Sequence, residues 1–275
     1  MIKYQTLHAH TTTSDGKLQH LQLLDACEEN NVGVVAFTDH DSLPSNKNLN
    51  LLKKNKSHLT KWIVGIELSS GLPKEIGDKA ASSLHVVGLF VDPSNKPLLD
   101  HCVKAKLSRE DRMEKIVKNL SSIGIKITKQ DCLHFSNGEA VGRPHIVSAI
   151  NSYEENKKVV KKLAKNMQQK SKFDLQVKEK YQEMKRESVE RHPYYLFLAE
   201  DAFIKGVYVD YLYYKSFDDS VKLIREAGGV AFLAHWFTSK KIIEKKLLEK
   251  ILQENRLDGL DTVCGLWTGG RLPKQ

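Results

Sequence analysis

Histidines and carboxylates stand at five places where short apolar runs of this chain begin or end, and these residue types bind divalent metals. His8 and His10 close the run Tyr4–Leu7, two residues apart, a spacing that puts both side chains on one face of a strand. Thr38-Asp39-His40-Asp41 follows Val34–Phe37, Glu67 follows Ile63–Ile66, His85 opens Leu84–Val91, and His235 follows Val230–Ala234. Imidazole with carboxylate suits Zn, Mn or Fe, with Mg also possible. The four cysteines, Cys27, Cys102, Cys132 and Cys264, are scattered without a C-x-x-C pair. A thiolate zinc site or disulfide framework is therefore not expected, and a reducing, cytoplasmic setting is. A carboxylate such as Glu67 can bridge two ions ~3.5–4 Å apart, which together activate a water and hold a phosphoryl group in line. Each piece has an ordinary counterpart: Asp15 before Gly16 is a common turn residue, and His235 could be a core histidine. Glu67 is harder to dismiss, because a buried carboxylate without partners is costly.

Elements able to position these groups are legible. Tyr4–Leu7, Val32–Phe37, Trp62–Leu68, Leu84–Val91 and Val230–Ala234 read as buried strands. Leu18–Asn31 and Val221–Ala227 read as helices, each stopped by glycine before a strand. This alternation predicts an α/β fold with a largely parallel sheet, barrel or doubly wound, whose strand ends converge on one rim. His85 departs from that rule, since it begins a strand. Between Pro97 and Glu200 the rhythm gives way to charged amphipathic stretches, Leu99–Ile123 and Glu154–Arg191. The expected organisation is a discontinuous core, 1–96 and 201–275, with a helical insertion over 97–200. The net charge of +9 fits either a phosphate-bearing partner or a Lys-rich solvated surface, and the helical placement of the lysines favours the latter. No apolar run reaches the ~20 residues of a membrane span, no leader peptide is visible, and no obligate protein partner is evident.

Leu-His-Ala-His-Thr-Thr-Thr-Ser-Asp-Gly (7–16), Ala-Phe-Thr-Asp-His-Asp (36–41) and Gly-Ile-Glu-Leu-Ser (65–69) together resemble the PHP (polymerase and histidinol phosphatase) domain family. So do Leu-His-Val-Val-Gly-Leu-Phe (84–90), Gly-Arg-Pro-His-Ile (142–146) and Glu-Ala-Gly-Gly-Val-Ala-Phe-Leu-Ala-His (226–235). Gly-Arg-Pro-His is similar to that of stand-alone members, the nucleoside 3′,5′-bisphosphate phosphatases and related 5′-to-3′ exoribonucleases. The resemblance implies a distorted seven-stranded (β/α)7 barrel with up to three divalent ions, often Mn. It places His8, His10 and Glu67 on the first ion, Glu67, His85 and His235 on the second, and Asp15 and His40 on the third. Arg143 and His145 would face the substrate phosphate; a guanidinium forms a bidentate fork with phosphate oxygens. The implied activity is hydrolysis of a phosphomonoester on a small nucleotide by metal-activated water, or exonucleolytic cleavage of short RNA or DNA. Glu67, Asp15 and His40 are the expected catalytic residues.

The family's closing strand and Asp-x-His element have no counterpart here: no histidine follows His235, and Asp261 is not expected to substitute. The sequence therefore predicts a barrel short of its last strand and two metal sites each lacking a usual ligand. A truncated enzyme and a degenerate metal- or nucleotide-binding domain are both consistent with that. An amidohydrolase acting on C–N bonds fits less well, because the Gly-Arg-Pro-His element is present and a ligating-lysine signature is not.

Overall fold

Valine- and isoleucine-rich segments pair into a six-stranded sheet whose spatial order follows the sequence: β1 (Tyr4–Ala9), β2 (Val32–Phe37), β3 (Lys61–Gly71), β4 (Ala80–Leu89), β5 (Val230–Leu233) and β6 (Gly259–Leu260). The computed structural model describes residues 4–55, 57–77, 80–136 and 140–261. It divides into two compact units, one of Met1–Ala9, Leu24–Asp100 and Tyr214–Gln275, the other of His10–Leu23 and His101–Tyr213. The stretch on which a closing strand would fall, beyond Asp261, lies outside the described residues.

All six strands belong to the first unit. β1, β2 and β3 run parallel, and so do β5 and β6. β4 is antiparallel to both neighbours, which corrects the expectation of a largely parallel sheet. The reversal explains the anomalous position of His85. β4 begins at Ala80, before the expected start at Leu84, so His85 stands mid-strand rather than opening it. Because the strand is antiparallel, His85 lies opposite Ser69 near the end of β3, and its carbonyl accepts the Ala234 amide after β5 (3.0 Å). The sheet curls enough for residues at the ends of β1 and β6 to meet.

α1 (His20–Glu29) and α2 (Asn46–Lys54) lie between the sheet's first three strands in sequence, and α3 (Lys96–Ser122) follows β4. α4 (Lys129–Phe135), α5 (Arg143–Asn151), α6 (Glu154–Lys170) and α7 (Leu175–Lys185) come next, and the first unit resumes with α8 (Phe217–Glu226), α9 (Trp236–Ser239) and α10 (Lys245–Gln253). α8 and α9 pack on the sheet. α8 begins at Ser216, whose hydroxyl accepts the Asp219 amide (3.1 Å), with Asp218 and Asp219 complementing the helix dipole. It buries Phe217, Val221 and Ile224. Gly88 on β4 makes room for that face, since a Cβ there would come within 2.9 Å of Ile224. The two-residue β6 is fastened by Asp258, whose carboxylate accepts the Ala231 amide (2.7 Å) and the Arg225 guanidinium (2.8 Å).

The second unit has its own core, in which Met113, Ile116 and Leu120 of α3 meet Ile146 and Ile150 of α5, Val160 and Met167 of α6 and Leu196–Leu198. The charged stretch 154–191 forms two α-helices and a short 3-10 turn at Val189–Arg191; Asp174 caps the second α-helix by accepting the Val177 amide (3.1 Å). Asn156, fully buried, accepts from the Lys126 amide (2.8 Å) and donates to the carbonyls of Lys126 (2.9 Å) and Ile150 (3.2 Å). Truncating it would remove the side-chain partner of three backbone groups, one of them, the Ile150 carbonyl, buried. Asn156→Ala is expected to lower unfolding free energy by about 2–3 kcal/mol, read by urea denaturation; a loss under about 0.5 kcal/mol would refute this latch.

Candidate metal centre

The backbone at the ends of β2 and β3 is interlocked before any side chain acts. Glu67 donates its amide to the Asp39 carbonyl (3.1 Å), and Asp41 returns an amide to the Glu67 carbonyl (2.8 Å). Asp41, buried and at φ +46°, accepts the Ser69 amide (2.9 Å) and hydroxyl (2.6 Å) on its carboxylate. Thr38 ties β1 to β2, its amide donating to the Ala9 carbonyl (2.8 Å) and its hydroxyl accepting the Ala9 amide (3.0 Å). These bonds set His40 beside Glu67. His235 holds a left-handed φ of +50° after β5, a conformation that non-glycine residues retain only when their surroundings enforce it.

Glu67 has no solvent exposure, and four imidazoles surround it. His8 Nε2 lies 3.3 Å, His85 Nδ1 3.1 Å and His235 Nε2 2.9 Å from Oε1, while His40 Nδ1 lies 2.9 Å from Oε2. His8 stacks on His235 with centroids 4.6 Å apart, and His40 meets His85 edge-on at 4.9 Å. Burial drives the His85 pKa down to about 4 against the opposing pull of Glu67, so the ring is neutral and keeps a lone pair. His85 Nε2 has no hydrogen-bond partner among the described residues. A buried, neutral, unsatisfied imidazole nitrogen beside a buried carboxylate fits a cation.

The structure corrects the expectation that Asp261 has no part in the site. Asp261, just after β6, brings Oδ2 within 3.2 Å of His8 Nδ1. Burial raises its pKa, but the hydrogen bond from His8 and the nearby His235 outweigh this and leave it below the usual value. Its amide donates to the Leu233 carbonyl (2.8 Å), and its carbonyl accepts the Trp236 amide (3.2 Å), so β5 places it. No motif flanks Asp261; only the pairing of β6 with β5 reveals it. Two triads, His8–His235–Asp261 and His40–Glu67–His85, each bring ligand atoms within 4.8 Å of one another. Binding His8 Nδ1–H to a carboxylate leaves Nε2 basic, the usual arrangement around a metal-ligating histidine.

Three groups of sequence-expected residues belong to the second unit. His10 Nδ1 pairs with Asp15 Oδ1 at 2.7 Å across a tight turn. Gly16 is required there, since a Cβ would stand 2.2 Å from the His10 carbonyl. Arg143 begins α5 and lies over the Tyr194 ring (5.3 Å). His145 accepts the Gly142 amide on Nδ1 (2.9 Å), which puts its proton on Nε2; burial lowers its pKa. Sequence reasoning also missed Arg109 and Arg112 on α3. They are buried, lie over the Tyr211 ring at 5.7 and 4.4 Å, and line a small cleft with Arg143 and Gly142. Arg112 donates Nε–H to the Val209 carbonyl (2.6 Å), while its Nη2 has no partner among the described residues. Their signal is the i, i+3 spacing of two arginines on one helix face, indistinguishable in sequence from a solvated pair.

Comparison with known proteins sets these features in context. No family model matches the chain. It is 27% identical over 236 residues to a 5′-3′ exoribonuclease of Haemophilus influenzae, covering 86% of this chain and 69% of that protein. It is also 29% identical over 139 residues to the 5′-3′ exoribonuclease Rnm of Salmonella typhimurium and 27% identical over 139 residues to that of Escherichia coli. Those two matches cover 50% of this chain but 45% of each relative, so the shared segment spans about half their length. Among solved structures, an amidohydrolase from Chromobacterium violaceum, with bound sulfate and no metal, superposes with a TM-score of 0.66 at 21% identity, covering 93% of this chain and 75% of that one. A protein assigned as a metal-dependent phosphoesterase from Bifidobacterium adolescentis gives 0.63 at 19% identity, covering 94% and 77%. The chain thus shares the fold of these two proteins. The described residues include no helix long and apolar enough to cross a membrane.

Asp261→Asn is expected to weaken divalent-metal binding about 10- to 100-fold, as removal of a ligand's supporting carboxylate does. Glu67→Gln should weaken it more. Metal content after gel filtration, with competition titrations, measures both; wild-type affinity in Asp261→Asn would exclude a supporting role.

Proposed function

We propose that this chain is a metal-dependent phosphoesterase acting on nucleotides. The observation that carries the reading is Glu67, a fully buried carboxylate within 3.3 Å of nitrogens from four histidines. Divalent ions bound there would supply an activated water and neutralise charge on the phosphoryl oxygens. Glu67 would bridge, since its two oxygens face different histidines. His85, held neutral by burial, offers its lone pair without competition from protons near neutral pH. Asp261 orients His8, and Asp41 fixes the His40 loop against β3. Mn is the expected ion on the sequence resemblance, which also supports the roles of His10, Asp15, Arg143 and His145. The clustered guanidiniums of Arg109, Arg112 and Arg143 suit a phosphate, because each presents a planar fork of donors.

Two substrates are compatible with this chemistry. The sequence resemblance favours a small nucleoside bisphosphate; the exoribonuclease names of three relatives favour 5′-to-3′ removal of nucleotides from short RNA. The protein supplied with Mn should release phosphate from a nucleoside 3′,5′-bisphosphate, or mononucleotides from a 5′-phosphorylated oligoribonucleotide. Glu67→Gln should reduce either rate by at least about 100-fold. Stoichiometric metal with no hydrolysis of either ester would establish a binding module instead.

A further inference from the structure

The surplus charge of this chain is concentrated. Residues 156–173 contain seven lysines and no acidic residue, against a net charge of +9 for the whole sequence. Four of them, Lys158, Lys161, Lys162 and Lys165, recur on α6 at helical spacing within an arc of about 100°, opposite the face that buries Val160 and Met167. All four are exposed, and none forms an ion pair among the described residues. α6 ends at Lys170 in the turn before α7, where Lys172 is also exposed. There Phe173 stands 91% exposed, the most exposed large apolar side chain described. Single exposed apolar residues are common, but a solvent-facing aromatic at the end of a row of unpaired lysines combines the two elements of single-strand recognition: cations that track phosphates and a ring that stacks on a base.

We propose that the lysine face of α6, with Phe173, is a docking surface for single-stranded RNA, the phosphates running along Lys158–Lys165 and one base stacking on Phe173. An anionic bilayer is the weaker partner, because an interfacial helix must bury its own apolar face in lipid, whereas that face of α6 is already committed to the protein core. The inference names a binding surface for the RNA-directed form of the function proposed above, yet it requires no catalysis.

Fluorescence anisotropy of a 5′-fluorescein single-stranded RNA, with EDTA present, tests it on the full chain. Reversing Lys158, Lys161, Lys162 and Lys165 together to Glu should weaken binding more than tenfold and flatten the dependence of log affinity on log salt by about 3, near 0.7 per lost contact. Phe173→Ala should weaken binding about 5- to 100-fold with the salt slope unchanged. These side chains lie on the surface, so thermal unfolding of the variants should match wild type. Wild-type RNA affinity in the lysine variant, or binding to phosphatidylglycerol vesicles without binding to RNA, overturns the proposal. Hydrolysis of a nucleoside 3′,5′-bisphosphate, followed in parallel, should be unchanged in both variants. Lost RNA binding in a protein that hydrolyses nothing would sustain the docking surface while removing the catalytic reading.

Discussion

A carboxylate taken wholly out of water is unstable without partners, and Glu67 imposes that constraint on the first unit. Its ionised form would cost several kcal/mol if left alone. The structure meets this by converging four imidazoles on its two oxygens, His8 near the end of β1, His40 and His235 just after β2 and β5, and His85 from the middle of β4. Much of the local architecture serves that convergence: the Asp39–Glu67–Asp41 backbone ladder, the left-handed turn at His235, and the reversal of β4 that delivers His85. Four nitrogens crowded on one carboxylate make a poor resting arrangement for protons, because protonating them all would stack like charges. A divalent cation would satisfy the same lone pairs at once.

The second unit solves a different problem. Its buried arginines are desolvated cations held by aromatic faces and by backbone carbonyls. Burial pulls the Arg112 pKa below its ordinary value, and the neighbouring Arg143 and Arg109 add to this, opposed by the tyrosines. Such a cluster is poised to gain from an anion, since each guanidinium recovers solvation it has given up. Asn156 shows the contrasting case of a buried polar group fully satisfied within the fold, contributing rigidity without demanding a ligand.

Much of this was legible in the sequence because strand termini are locally encoded. Apolar runs of Val, Ile and Phe stop where a histidine or carboxylate begins, and β2 spans the expected Val32–Phe37 while β5 ends one residue early. His8, His40 and His235 were identifiable for that reason; Glu67 and His85 instead lie inside longer strands, β3 running on to Gly71 and β4 starting at Ala80, and Glu67 was singled out by the cost of its burial. The helical character of 154–191 was likewise readable, although its break at Asp174 needed the capping geometry. The stretch after Asp261, for which the sequence predicts neither a closing strand nor an Asp-x-His element, lies outside the described residues.

What the sequence determined by itself was the inventory of donors and their places at the ends of apolar runs, since residue type and hydrophobic period are local properties. Only the tertiary structure decided that β4 runs backwards, which sets His85 opposite Ser69 and beside Glu67. Strand direction depends on long-range hydrogen bonding that leaves no local trace. The same holds for Asp261, which sits at the end of a two-residue strand too short to show a pattern. It reaches His8 only because Asp258 and Leu233 pin β6 to β5.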